Sequence, residues 1–140
     1  MKAVVLAGAA ALLLSGCAAP VYLSGRMAGS QEVPPTQSAG TGVVTATLYP
    51  STRALTYKVE YSGLSGPATA AHFHGPAAQG ANAGVMIPIA KADSPATGTV
   101  ILTEAQQADA LAGNLYANVH TAANPGGDIR GQLLPLRPAQ

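Results

Sequence analysis

Apolar and polar residues alternate from Arg53 to Tyr61, which limits this segment to one kind of secondary structure. Leucine, tyrosine and valine occupy every second position, and threonine, lysine and glutamate lie between them. A period of two puts these two sets on opposite faces of a strand, whereas helical faces repeat every ~3.6 residues. The segment is therefore predicted to be a half-buried β-strand, which needs neighbouring strands to be stable.

The rest of the chain offers such neighbours. Further short runs rich in apolar and β-branched residues are bounded by turn residues, and the 16 glycines and 11 prolines suit many tight turns. These predicted strands are 41–49, 69–74, 85–90, 97–102, 115–121 and 129–134. A capping box at Thr103–Gln106 predicts one short helix that ends at Gly113. The predicted fold class is all-β, a Greek-key β-sandwich or barrel of about seven or eight strands.

The N-terminal segment has the pattern of a lipoprotein signal peptide. Lys2 is followed by a short uncharged apolar stretch, then by Leu14-Ser15-Gly16-Cys17. The stretch is shorter than the ~20 residues of a membrane-spanning helix, and a small-residue cleavage site follows it. We therefore predict a signal peptide over 1–16, a lipidated tether over 17–21 beginning with acylated Cys17, and a domain over 22–136. The product would be exported and anchored to the cell membrane or the outer membrane, facing the periplasm or the exterior.

The charge balance excludes several functions. The chain has seven Lys and Arg against six Asp and Glu, so loss of Lys2 leaves a net charge near zero. Nucleic-acid binding needs a basic surface, and none is predicted. No nucleophile–base pair, carboxylate pair or phosphate loop is apparent in the sequence, which argues against a hydrolase.

The three histidines of the chain form a candidate metal site. His72 and His74 are two residues apart on a predicted strand, so both project from one face about 7 Å apart. His120 lies on another predicted strand, where it shares a face with Tyr116 and Asn118. If the two strands are neighbours, three imidazoles converge, which suits copper or zinc. The alternative is that the histidines only bind backbone carbonyls.

Two further groups of polar residues have structural and functional interpretations. Tyr116 and Asn118 either support the histidines or are outward polar residues of an edge strand. After Asn124-Pro125-Gly126-Gly127, Asp128 and Arg130 share one face of the next strand. Either Arg130 clamps the turn, through Asp128 or the backbone, or its guanidinium steers a small anion towards the histidines. The 32–35 segment, Glu-Val-Pro-Pro, is predicted to extend along a sheet edge, because proline cannot donate to a ladder.

Several segments together resemble the CHRD domain, which is named for chordin and also occurs alone in bacterial exported proteins. The resemblance covers about residues 22–136. It rests on Ser-Gln-Glu-Val-Pro-Pro at 30–35, Ala-His-Phe-His-Gly at 71–75, Tyr-Ala-Asn-Val-His-Thr at 116–121 and Asn-Pro-Gly-Gly-Asp-Ile-Arg-Gly-Gln at 124–132. It implies an extracellular module and assigns it no chemistry.

The same segments also resemble the copper/zinc superoxide dismutases. A His-x-His strand, a later Val-His strand and an Asn-x-Gly-Gly turn before an arginine occur there in this order. The resemblance implies a copper site of His72, His74 and His120, without zinc, because the metal-bridging histidine has no counterpart. The disulfide cysteines are also missing, and Asp128 follows Gly-Gly, so that Arg130 comes two positions late.

The functional hypothesis is a mononuclear three-histidine copper site that dismutates superoxide, with Arg130 steering the anion and Tyr116, Asn118 and Asp128 supporting the site. The alternatives are a copper buffer, or a non-catalytic module that binds a protein or a glycan. The membrane, through the lipid on Cys17, is the predicted partner.

Overall fold

The computed structural model describes residues 18–136, which form a single curled antiparallel sheet, a half-barrel, with one short helix. The helix α1 spans Glu104–Leu111, and a 3-10 turn spans Gly29–Gln31. The strands are β1 Val21–Ala28, β2 Thr41–Tyr49, β3 Ala54–Ser62, β4 Ala68–His74, β5 Val85–Pro88, β6 Ala96–Ile101, β7 Leu115–Thr121 and β8 Ile129–Pro135. The all-β prediction is confirmed, and the strands form one sheet rather than the two sheets of a sandwich.

The order of strands across the sheet is β5-β4-β7-β8-β1-β2-β3-β6. The chain therefore crosses between the halves of the sheet after β3, β5 and β6, the long returns that a Greek-key arrangement requires. One of these returns places β7 directly beside β4, so the strand of His120 is the neighbour of the strand of His72 and His74.

The inner face of the curled sheet is apolar throughout. Alternate residues of every strand contribute to it, including Leu55 and Val59 of β3 and Leu115, Ala117 and Val119 of β7. The alternation read from 53–61 thus separates core from surface as predicted. In the described part of the chain, no helix is long and apolar enough to cross a membrane.

Strand β1 was not predicted, because Gly25 interrupts its apolar pattern between the buried Leu23 and Met27. The structure explains this glycine: a Cβ there would clash with the backbone carbonyl of Gln132 on the adjacent strand β8. A close approach of two backbones needs a residue without a side chain. Strand β1 begins at Val21, the last residue of the predicted tether.

Helix α1 begins as its sequence predicts. The Thr103 hydroxyl accepts from the backbone of Gln106, and the Gln106 side chain accepts from the backbone of Thr103. The helix ends at Leu111, and Gly113 follows with φ of 75°, a conformation that favours glycine.

The outer face of β4, β7 and β8 is covered by loops, unlike the outer face of a typical half-exposed strand. All seven residues of β7 are buried. The covering segments lie before β2, between β4 and β5, and between β7 and β8; they contact β7 and β8 through Glu32, Ala83 and Pro125. Strand β7 is an interior strand, so the edge-strand interpretation of Tyr116 and Asn118 is wrong.

Candidate metal centre

The structure brings the three histidines together on the covered outer face. The ring centroids of His72 and His120 are 4.9 Å apart, and those of His72 and His74 are 5.5 Å apart. One ring nitrogen from each histidine lies within 4.8 Å of the other two. The register explains this convergence. His72 lies opposite Asn118 on β7, and His120 is two residues further along β7 on the same face.

Backbone carbonyls decide which ring nitrogens face the centre. His74 Nδ1 lies 3.0 Å from the carbonyl oxygen of Ala83, and His120 Nδ1 lies 2.9 Å from that of Pro125. A carbonyl only accepts, so both Nδ1 atoms carry a proton and donate, which leaves both Nε2 atoms as acceptors. His72 contributes Nδ1, which lies 3.0 Å from His120 Nε2. The backbone contacts of the alternative interpretation therefore exist, and they orient the free nitrogens towards one point.

The Nε2 atom of His74 is buried and has no hydrogen-bond partner among residues 18–136. Leaving such an atom unpaired costs about 1–3 kcal/mol, so structures seldom retain one without a reason. A metal ion bound between the three imidazoles would satisfy it.

The electrostatics also favour neutral imidazoles. Burial lowers the pKa of His72, and the neighbouring His120 and His74 lower it further. Burial lowers the pKa of His120 too, against the opposing effect of its bond to Pro125, with His74 adding to the decrease. Neutral imidazole is the form that binds a metal, so these shifts extend metal binding to lower pH.

Tyr116 holds His74 in place. Their rings are stacked with centroids 4.9 Å apart and planes 2° apart. The Tyr116 hydroxyl donates to the carbonyl oxygen of Ala83 and accepts from its amide, both at 3.2 Å. Tyr116 therefore fixes both the ring of His74 and the carbonyl that His74 binds.

Asn118 and Asp128 fix the turn that carries Pro125. The Asn118 side chain donates to the carbonyl of Gly126 at 3.4 Å, next to the carbonyl that binds His120. At Gly127, whose φ is 138°, a Cβ would clash with the Glu32 carboxylate.

Asp128 accepts from the side chains of Ser38, Thr121 and Asn124 and from the backbone of Ser65. Burial raises the pKa of Asp128, but the hydrogen bonds, that from Ser38 foremost, outweigh it and lower the pKa to about 2. Among the described residues, Asp128 makes no hydrogen bond to a histidine and supports the centre through the turn.

Arg130 lies apart from the position expected for steering an anion. Its Nε donates to Glu32 at 3.0 Å, and its two Nη atoms donate to the Ala81 carbonyl and to the Asn82 side chain. Its Cζ lies 4.0 Å from the centre of the Tyr116 ring. Only 5% of the residue is exposed, so its guanidinium is shielded from an approaching anion. The described partners of Arg130 lie on the segments before β2 and between β4 and β5, so Arg130 holds these two covering segments rather than the 124–127 turn of the predicted clamp.

Glu32 is the residue that the sequence analysis missed. The predicted sheet-edge segment instead crosses over the outer face of the sheet and buries this carboxylate against Arg130. Burial raises the pKa of Glu32, and the charge of Arg130 offsets part of the increase. A signal existed, since Glu32 is the only charged residue between Arg26 and Arg53. An isolated charge in such a stretch is a candidate for a buried pair.

The predicted signal peptide and Cys17 lie outside the described residues. Comparison with known proteins bears on the domain itself. The family model of the CHRD domain matches residues 23–133, close to the range of 22–136 expected from the sequence. Searches of curated proteins and of solved structures gave no match. A match over most of the chain, in which the segments carrying His72, His74 and His120 all take part, shows that the chain belongs to the CHRD domain family.

Proposed function

We infer that this protein is an exported, lipid-anchored CHRD domain that binds one copper ion through His72 Nδ1, His74 Nε2 and His120 Nε2. The observation that carries the proposal is the buried, unpaired Nε2 of His74, in a group of three histidines whose candidate ligand atoms all lie within 4.8 Å of one another. The opposite ring nitrogens of His74 and His120 are bound to backbone carbonyls, so both rings are oriented for binding before a metal arrives.

The spacing suits a metal ion after a small adjustment. Metal–nitrogen bonds of ~2.0–2.1 Å at tetrahedral to trigonal angles place ligand nitrogens ~3.3–3.6 Å apart. The closest pair here is 3.0 Å apart and the set spans up to 4.8 Å. The longest of the three ring separations, 6.2 Å between the centroids of His74 and His120, does not involve His72, so these two rings also have to approach each other to share one metal ion.

Copper is favoured by the donor set. Three imidazoles without a carboxylate or thiolate suit copper and zinc, and copper binds nitrogen sites more tightly than the other divalent metals of its row. Zinc is the competitor, and the metal content of the native protein separates the two.

Superoxide dismutation is the activity that we propose for the copper-loaded domain. A bound copper ion supplies one-electron chemistry, so that two superoxide ions and two protons give oxygen and peroxide. The protein holds the three imidazoles and leaves the partly exposed His72 side as the approach for a small anion. Arg130 is buried in its own ion pair, and we assign it to holding the cover rather than to steering.

A non-catalytic module is the second candidate, favoured by membership of a family whose domains are extracytoplasmic. Such a module would bind a protein or a glycan through its loops, or would buffer copper. If the module binds a protein or a glycan, removing the histidines should leave that binding intact. If it buffers copper, removing them should abolish copper binding.

The test is metal analysis of the protein purified from its native compartment, with His74→Ala compared with Lys58→Ala. Lys58 is exposed on β3 and serves as the matched control. We expect one copper per chain in the wild type and in Lys58→Ala, and at least a tenfold loss of copper affinity in His74→Ala. Equal metal content in all three proteins would overturn the metal site. Copper without superoxide removal above that of His74→Ala would reject the dismutase and leave the buffer.

A further inference from the structure

One end of the sheet exposes apolar side chains around the point where the chain enters the domain. The register places the start of β1, the ends of β2, β6 and β8 and the start of β3 at this end. Five exposed residues of its outer surface, here called the entry face, are Tyr22, Tyr49, Ile101, Leu134 and Leu136.

The residues of the entry face lie on neighbouring strands at one end of the sheet. Leu136 donates its backbone N–H to the carbonyl of Tyr22, and both residues line a groove of about 660 Å³ that continues over Thr47. Leu134 pairs with Ser24, one alternation along β1 from Tyr22. Ala54 of β3 lies between Tyr49 of β2 and Ile101 of β6 and is paired with both.

All five side chains of the entry face are exposed. Tyr22 is 60% exposed, Ile101 61% and Leu136 59%. Single exposed apolar residues are ordinary, whereas a connected group marks a contact surface. Tyrosine and threonine beside aliphatic residues are the composition of a surface that meets the boundary between water and lipid, where an apolar body is buried and a hydroxyl remains wet.

The short segment between Cys17 and β1 favours the lipid bilayer as the partner of the entry face. Four residue steps separate Val21, where β1 begins, from Cys17, the predicted site of acylation. At full extension these steps span at most about 14 Å. A lipid on Cys17 therefore keeps the entry face within a short distance of the bilayer at all times, and a second binding event at such a high local concentration needs little intrinsic affinity.

We propose that the entry face lies on the surface of the lipid bilayer, so that the domain is docked in one orientation rather than hanging freely from its anchor. This inference rests on the proposed acylation of Cys17 and is independent of the copper site. It also sets the position of the histidines. His72 is at the level of Asn118, Arg130 and Ala28 across the adjoining strands. Ala28 is seven residues from Val21, about 23 Å along β1, so the metal centre lies towards the opposite end of the strands from the entry face.

The chain contains no tryptophan, so a single introduced tryptophan reports on one position. We would compare Tyr22→Trp with Val43→Trp in the acylated protein, reconstituted in phosphatidylethanolamine and phosphatidylglycerol vesicles with brominated acyl chains. Val43 is the matched control, because it is also an exposed apolar residue of the outer face, but it pairs with Arg26 towards the other end of β1. Neither position is in the core or in the metal centre.

The expected result is that Tyr22→Trp shifts to shorter emission wavelength and loses most of its fluorescence to the brominated lipid, while Val43→Trp keeps its own. Flotation of the vesicles reports attachment separately, and copper content reports the metal site. Protein that floats with both tryptophans unquenched, or quenched alike, overturns the docked orientation alone. Protein that does not float overturns the anchor and the docking together. A concentration-dependent wavelength shift of Tyr22→Trp in detergent without vesicles overturns the bilayer as partner and assigns the face to a second copy of the chain.

Discussion

Strands β3 and β7 both lie inside the sheet, each between two paired neighbours, yet their surroundings differ. Strand β3 keeps the alternation of buried and exposed residues that its sequence predicts, whereas every residue of β7 is buried. Their inner faces are alike and apolar. The outer face of β3 is open, while loops cover that of β7 and enclose imidazole, amide, phenol and guanidinium groups.

The polar residues of β7 and β8 form specific hydrogen bonds with the loops that cover them. Each has a specific partner on a covering loop, because burying an unpaired polar group is costly. The few buried polar atoms without a partner on the covered outer face, among them Nε2 of His74 on β4, therefore stand out as candidates for binding something else.

We expect the largest change in stability at the buried one of the two ion pairs among the described residues. One pair, Arg130–Glu32, lies under the covering loops, and the other, Lys58–Glu60, lies on the open face of β3. Arg130→Ala should lower the free energy of unfolding by about 3–5 kcal/mol, since the Glu32 carboxylate is left buried without its partner. Lys58→Ala, which breaks the exposed pair with Glu60 on β3, should cost at most about 1 kcal/mol. Urea denaturation of the two variants measures both.

Two further results would bear on the ion-pair prediction. Equal losses would mean that the covered face is no different from the open one. Recovery of part of the stability in a double variant, Arg130→Met with Glu32→Gln, would confirm that the unpaired charge causes the loss.

A smaller effect is expected at Asp128, and it depends on pH. Its pKa of about 2 in the folded protein lies below its ordinary value of 3.8. A lowered pKa contributes stability above the ordinary value, and this contribution is lost as the pH falls from about 4 towards 2. Asp128→Asn should therefore cost roughly 2 kcal/mol at neutral pH and little near pH 2.

Thermal unfolding across this pH range, with the exposed Asp93→Asn as control, tests the prediction. A loss at Asp128→Asn that does not change with pH would show that shape, rather than charge, matters at this position.

The smallest effect concerns the support of His74. Tyr116→Phe keeps the stacked ring but removes the hydroxyl that binds Ala83, so copper affinity should fall about 10-fold. Tyr61→Phe is the matched control, because its hydroxyl also donates to a backbone carbonyl, that of Ala92, but on β3. Competition against a copper chelator gives both affinities. Equal affinities for the two variants would leave Tyr116 with a purely structural role.

The predictable part of this molecule is the part governed by local pattern. Thr41–Tyr49 and Leu115–Thr121 were predicted with the bounds that the structure has, since alternation and turn residues act over a few positions. The convergence of the histidines followed from one additional assumption, that their strands are neighbours.

The partners of Arg130 could not be read from the sequence in the same way. Glu32 lies 98 residues away from it, on a segment with no strand pattern, and only the folded cover brings the two together. The neighbouring Asp128 was the nearer candidate along the chain, but it is occupied by Ser38, Thr121 and Asn124.

The pairing of β1 with β8 determines when the sheet of this domain can form. Leu23 lies beside Pro135, so the first strand to be synthesised finds one of its two neighbours only in the last. Contacts so distant along the chain form late and slowly, because the entropy of closing the loop is lost before they stabilise the sheet. The domain cannot complete its sheet until β8 has been synthesised. For an exported chain, as we propose this one to be, the sheet would then be completed only after transport.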